Sequence, residues 1–248
     1  MRNLCAIIPA AGKGTRLGLD RPKILAPISE EHTIWSILRG KLLPLADHIQ
    51  VVLSPGAVAV FEQTLQLDPE CERISIVVQP EPTGMGSAIF QGQEFWKDFD
   101  DLLIVWGDQV NLSERTLRDT VALHRRYEGP HCTMPVVKLL TPYVQYDFDD
   151  HGKLSGIRQT REGDQVDTHG WSDAGTFCLS VKGLHAPWRD YCENTPTGTT
   201  TAEINFLPFL TYLSRTGWDF HRIEMADAGE ARGVNTPEDL DFAKRRNY

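Results

Sequence analysis

The residues best suited to chemistry crowd into one short loop. Lys13, Arg16, Arg21 and Lys23 follow the first apolar run, with only Asp20 against them, in a chain whose net charge is −9. Gly12, Gly14 and Gly18 interrupt them. Glycine opens the backbone to positive φ and to close approach by a ligand. Successive exposed N–H groups in such a loop form an anion-binding concavity. Cations and bare amides together point to phosphate. A second candidate is Asp108, which follows Gly107 after another apolar run. A carboxylate at the end of a strand, beside a phosphate loop, suits Mg²⁺, which prefers carboxylate oxygens and substrate phosphates to an all-protein cage. Either residue alone could instead belong to an ordinary surface turn.

The elements that must carry these residues follow from apolar periodicity. Leu4–Ile8 reads as a buried strand ending at Pro9. Helical spacing over Ile34–Leu43, with Thr33 as N-cap, precedes a strand at Ile49–Leu53 and a turn at Ser54-Pro55-Gly56. A helix over Val58–Leu67 and a strand at Ile74–Val78 come next. Gly84 and Gly86 open a helix through Trp96, and Leu102–Trp106 is a fourth strand. Ser113 caps a helix to about Tyr127. Strands alternating with helices imply βαβ units and a largely parallel sheet, whose ligands bind beyond the carboxyl ends of the strands. The middle of the chain changes character. Cys132–Lys138, Gln145–Phe148, Leu154–Gln159 and Ala174–Val181 read as strands, with a hairpin turn at Asp149–Gly152. A helix over Ala202–Arg215, a strand at Phe220–Ile223 and a helix capped by Thr236 close the pattern.

Composition narrows the classes. At 248 residues, 41% hydrophobic and 24% charged, the chain resembles an ordinary globular protein. No apolar run approaches the roughly 20 residues of a membrane span, and no signal peptide is evident. Cys5, Cys71, Cys132, Cys178 and Cys192 lack C-x-x-C spacing and read as free thiols in a reducing, cytoplasmic compartment. The acidic balance argues against a nucleic-acid partner. No membrane partner is expected.

Two common phosphate motifs fail: G-x-x-x-x-G-K-[ST] is absent, and G-x-G-x-x-G would need glycine at Leu17. What is present is A-A-G-K-G-T-R over Ala10–Arg16, then Pro22-Lys23. This resembles the signature loop of the sugar-1-phosphate nucleotidyltransferases, with their MobA-like NTP transferase fold. Among them it is most similar to the uridylyltransferase domain of the N-acetylglucosamine-1-phosphate uridylyltransferases. The resemblance runs from residue 4 to about 244, firm at the donor motifs and loose between 140 and 205.

The resemblance implies a Rossmann-like α/β fold: a mixed, mainly parallel sheet flanked by helices, with an inserted β-rich acceptor lobe. It implies one domain over 1–248, with a donor half to about 130, an acceptor lobe to about 225 and a closing metal-site helix. Arg16 and Lys23 take the catalytic positions. Ala10, Ala11, Gly12, Gly14, Thr15, Gln79, Gly84, Met85 and Gly107 take the nucleotide-binding ones. Met85 replaces a family threonine, exchanging a hydroxyl for a thioether. Asp108 and Asn235 match the Mg²⁺ ligands. Gln159, Asp173 and Glu203 fall at acceptor positions, where glutamate and asparagine of the family have become Gln159 and Asp173. The implied reaction couples a nucleoside triphosphate, UTP by resemblance, to a sugar 1-phosphate with release of pyrophosphate. A cytidylyltransferase acting on a phosphonate, alditol phosphate or other small phosphoester is the alternative. A nucleotide-binding protein without catalysis is a third, disfavoured by the joint presence of Arg16, Lys23, Asp108 and Asn235.

Overall fold

The computed structural model describes residues 2–12, 14, 17–19, 21–198 and 200–246. Its centre is β1 (Leu4–Pro9), every residue of which is buried. β1 pairs in parallel with β2 (His48–Leu53) on one side and β4 (Asp101–Val105) on the other. β3 (Ile74–Val78) lies parallel beyond β2. Alternation along β1 sends Leu4, Ala6 and Ile8 into one apolar cluster and Cys5 and Ile7 into another. A strand buried on both faces needs a continuous apolar run, and that is how Leu4–Ile8 reads.

The connecting helices are α1 (Ile34–Leu42), α2 (Pro55–Leu65), α3 (Met85–Gln91) and α4 (Gln93–Trp96). Thr33 caps α1 reciprocally with Ser36. α2 starts three residues before the expected Val58 because Ser54 is extended and Pro55 takes a first-turn position, where its missing N–H costs nothing. The single helix expected through Trp96 is broken at Gly92. A Cβ there would lie 1.8 Å from Oε1 of the buried Gln50.

Beyond β4 the sheet turns antiparallel. Its order is β3-β2-β1-β4-β9-β5-β8-β6-β7, with β10 (Asp219–Glu224) parallel to β5 on its other edge. These strands are β5 (His131–Leu140), β6 (Val144–Phe148), β7 (Leu154–Gln159), β8 (His169–Asp173) and β9 (Thr176–Ser180). The sheet is therefore mixed, its parallel part carrying the glycine loop and its antiparallel part forming the β-rich lobe.

Four more helices follow: α5 (Glu114–His124), capped by Ser113; α6 (His185–Asn194); α7 (Phe206–Arg215); and α8 (Pro237–Arg245). The strand expected from Ala174 starts at Thr176, because Gly175 turns the chain at φ +66°. β8 and β9 then pair in succession along one edge of β5. α7 starts at Phe206 rather than Ala202, which itself sits at φ +55°.

Candidate active site

β1 and β4 are parallel neighbours, so their carboxyl ends open on the same edge of the sheet. The loops leaving them meet there. Gly107 N–H donates to the Pro9 carbonyl at 3.3 Å. A Cβ on Gly107 would stand 3.0 Å from both Ala10 Cβ and Pro9 O, so the close approach of the two loops requires glycine.

Lys23 opens a single 3₁₀ turn, Lys23–Leu25, anchored by buried Ile24 and Leu25. Gly14, at φ +59°, lies against it: a Cβ there would be 2.9 Å from Lys23 Cβ. The backbone of Lys23 is thus fixed while its stem reaches across the edge. Its Nζ donates to Asp108 Oδ2 and to Asn235 Oδ1, each at 2.9 Å. The Lys23 and Asp108 side chains are 17% and 18% exposed, so this ion pair is largely shielded.

Asn235 is delivered by the segment before α8. Val234 N–H donates to the Asp108 carbonyl at 3.0 Å, and Val234 is fully buried. Gly233 passes so close that a Cβ would lie 3.0 Å from the Asp108 carboxyl. Asp239 accepts from the N–H groups of Asn235 and Thr236, completing the capping box that starts α8. On the far side, Asn111 Nδ2 donates to the Arg232 carbonyl, and Ser113 N–H donates to Glu230. Lys41 of α1 supports the same loop by donating to the carbonyls of Val110 and Leu112 at 2.6 and 2.8 Å. Burial pulls the Lys41 ammonium down to about 8.

A cavity of about 210 Å³ lies over this junction, lined by Pro9, Ala10, Gly12, Lys23, Ile24, Met85, Trp106, Gly107, Asp108 and Asn235. Seven of the residues singled out from sequence converge here: Ala10, Gly12, Lys23, Met85, Gly107, Asp108 and Asn235. Ala11 adjoins it in the chain. Thr15 and Arg16 lie outside the described residues. Gln79 and Gly84 are joined to one another, the Gln79 amide donating to the Gly84 carbonyl at 3.1 Å. Gln79 is 5% exposed, so this amide shapes the loop between Gln79 and Gly84 from behind.

The three acceptor candidates do not line the cavity. Gln159 ends β7 and is buried. Asp173 ends β8, with Oδ1 accepting from Gly175 N–H at 2.5 Å. Burial pushes the Asp173 carboxyl up, and the Asp108 charge adds to the rise. Glu203 is paired with Arg161 at 2.9 Å, and its Cβ faces Gly84. Trp106, between the cavity and the lobe, was not singled out from sequence. Its ring contacts Phe177 and Phe206, and its backbone N–H donates to the Gly175 carbonyl. Its position just before Gly107-Asp108 was the available signal. Lys41 and Arg161 carried no signal at all, since each acts through distant partners.

The two oxygens of Asp108 and Asn235 converge on one cation, which is the donor chemistry a hard divalent ion requires. Among the described residues no group of three or more His, Cys, Asp or Glu side chains could hold a metal. Two protein oxygens fit Mg²⁺ only with phosphate and water completing the shell.

A glycine loop on β1, a cation reaching to a strand-end carboxylate and an antiparallel lobe beside them define a nucleotidyltransferase. Residues 6–159 match the family described as the MobA-like NTP transferase domain, and the chain belongs to that family. Curated relatives agree. The bifunctional protein GlmU of Syntrophotalea carbinolica is 32% identical over 242 residues, 94% of this chain and 48% of its own length. That of Prochlorococcus marinus is 26% identical over 238 residues, 94% of this chain and 50% of its own length. The chain thus spans about half the length of these relatives. The fold is shared with a crystal structure provisionally named a glucose-1-phosphate thymidylyltransferase, from Bacillus anthracis, solved with sucrose. That similarity has a TM-score of 0.78 at 15% identity and covers 98% of this chain and 94% of that one. The family match makes the chain a nucleotidyltransferase. Among the described residues no helix is long and apolar enough to cross a membrane.

Proposed function

We propose that the chain transfers a nucleotidyl group from UTP to a sugar 1-phosphate, forming a nucleotide-sugar and pyrophosphate. The observation that carries this is the convergence of Lys23, Asp108 and Asn235 over the glycine loop. An oxygen of the acceptor phosphate attacks the α-phosphorus as the bond to the β-phosphate oxygen breaks. The acceptor oxygen is already ionised, so no general base is required. Rate then comes from alignment and from charge stabilisation. Lys23 would turn its ammonium from Asp108 to the α-phosphate, and Arg16 would hold the departing β- and γ-phosphates. Gly12, Gly14, Ala10 and Ala11 would form the phosphate cradle, a role to which Thr15 is also assigned by sequence. Gln79, Gly84 and Met85 would hold the base, and Gly107 would be a further nucleotide contact. Asp108 and Asn235 would hold Mg²⁺, which when bound would neutralise phosphate charge. Residues to about 130 form the donor half, the lobe to about 225 holds the acceptor, and the α8 segment closes the metal site. The five cysteines are free, in keeping with a reducing cytoplasm.

A second reading keeps the donor half and changes the acceptor to a phosphonate, alditol phosphate or other small phosphoester, with CTP as donor. The rewritten lobe supports it, since Gln159 and Asp173 stand where the resembled uridylyltransferases carry glutamate and asparagine. A pyrophosphate-release screen crossing the four nucleoside triphosphates with sugar 1-phosphates and small phosphonates separates the two. UTP with a sugar 1-phosphate is the expected productive pair. CTP with a phosphonate would favour the second reading, and no release from any pair would refute both.

A further inference from the structure

Lys23 stands where a catalytic metal ion would be expected. One ammonium bridges two oxygens that lie far apart in the chain, each at 2.9 Å. Among the described residues lining the cavity Asp108 is the single carboxylate, and Lys23 already neutralises it in a pair largely shielded from water. No other described residues form a ready-made metal cluster. A dication and an ammonium cannot share the same two oxygens, because like charges repel strongly at such range. Either the lysine or the ion can hold Asp108 and Asn235 at one time.

The lysine is built to move without its backbone moving. Its turn is anchored by Ile24 and Leu25, and Ala26 N–H donates to the Lys23 carbonyl at 2.9 Å. The charge sits on a flexible four-carbon stem. What is needed to draw it off is another anion within reach of the glycine loop. A nucleoside triphosphate supplies that anion and also the phosphate oxygens that Mg²⁺ needs to fill its shell.

We propose that Lys23 is a place-holding cation: it occupies Asp108 and Asn235 in the protein alone and releases them only when a triphosphate arrives. This rests on the nucleotidyl-transfer reading above and adds an order to it. Free divalent ion is kept out, and metal and nucleotide enter together. Lys23 therefore has two successive partners, the metal-ligand pair and then the phosphate. Removing its charge opens the carboxylate to metal prematurely.

Mn²⁺ is the probe, with unbound ion counted by electron paramagnetic resonance in the absence of nucleotide. Lys23→Met should bind Mn²⁺ at least about tenfold more tightly than wild type, the competing charge having gone. Adding Asp108→Asn in that background should abolish the gain. Equal Mn²⁺ affinity in wild type and Lys23→Met overturns the proposal. Should Lys23→Met not fold, the wild type alone decides. Mn²⁺ without nucleotide should leave the amide resonances of Gly107 and Asn235 sharp, and Mn²⁺ with UTP should broaden them. Equal broadening in both conditions overturns the place-holding role. Broadening in neither removes the metal site and the proposal with it. Absence of pyrophosphate release from every substrate pair strikes instead at the parent reading, and the Mn²⁺ competition remains measurable without turnover.

Discussion

Gly84→Ala offers a demanding check on how the base loop is held. Gly84 has φ +114°, a conformation that side-chain-bearing residues rarely adopt. A Cβ would lie 2.7 Å from Ile204 O, 2.9 Å from Ile204 N and 2.9 Å from Glu203 Cβ. The first two are backbone atoms of a clip. Ile204 N–H donates to the Thr83 carbonyl at 2.9 Å, and Gly86 N–H donates to the Ile204 carbonyl at 3.1 Å. The strained φ costs about 1–3 kcal/mol. Losing the two clip hydrogen bonds adds about 1 kcal/mol each. A total of about 3–5 kcal/mol corresponds to a fall in Tm of roughly 6–20 °C for a domain of this size. Gly40→Ala is the control, since a Cβ there meets nothing within 4 Å inside α1. It should stabilise by about 0.5–1 kcal/mol. The assay is urea unfolding of all three proteins, followed by titration with UTP. Gly84→Ala should also bind nucleotide more weakly, because the Gln79–Gly84 hydrogen bond is on the same loop. Stability within about 0.5 kcal/mol of wild type would refute the account of the clip, since an effect that small is typical of featureless surface sites.

Two further perturbations test charges that sequence alone did not reveal. Lys41→Met leaves the carbonyls of Val110 and Leu112 without their donor and should destabilise by about 1–3 kcal/mol at pH 7; chemical denaturation with unchanged stability would contradict it. Burial holds Lys41 at about 8 in the fold against an ordinary lysine value of 10.5, so its charging penalty is present below about 8 and is relieved as pH rises toward 10. Wild type should accordingly gain on the order of 1–2 kcal/mol over Lys41→Met between pH 7 and 10, and a gap that stays constant would show that Lys41 titrates normally. In the lobe, hydrogen bonds from Arg158 and Gln145 hold the Asp167 carboxyl at about 2. Its contribution is present above the unfolded value near 3.8 and is lost as pH falls through about 2. Carboxyl NMR titration should show the low midpoint rise in Arg158→Met, and a midpoint already near 4 in wild type would refute the pairing.

How much of this was legible in sequence depends on the range of the interaction involved. β1 and β4 were read correctly because a strand buried on both faces must be a continuous apolar run. The start of α8 was legible because Thr236, Pro237 and Asp239 act on neighbours three residues away. β8 was not, since His169-Gly170-Trp171-Ser172-Asp173 has no strong pattern and is held by its pairing with β5. α6 was missed because Pro187 interrupts it near its start and no side chain caps it. The break at Gly92 is caused by Gln50, more than forty positions earlier. At the site, Lys23, Asp108 and Asn235 were each legible as residue types. Their mutual bonding was not, because sequence lists an ammonium, a carboxylate and a carboxamide without saying which already satisfy one another.

The contact of Val234 with the Asp108 carbonyl has a consequence for how the chain comes to life. Lys23 meets Asp108 across a separation of 85 residues and Asn235 across 212. Contacts this distant in sequence form late, because the intervening chain must be ordered first. On a ribosome the glycine loop and the sheet around β1 would be made long before Asn235 emerged. A nascent chain halted before Gly233 would carry the whole parallel sheet and a cradle for phosphate, yet lack the carboxamide and the α8 segment that locks it in place. The Gly233–Asn235 segment therefore ties closure of the junction around Asp108 to residues made more than a hundred positions after it. A peptide spanning that segment, supplied separately, would be the natural complement of such a fragment.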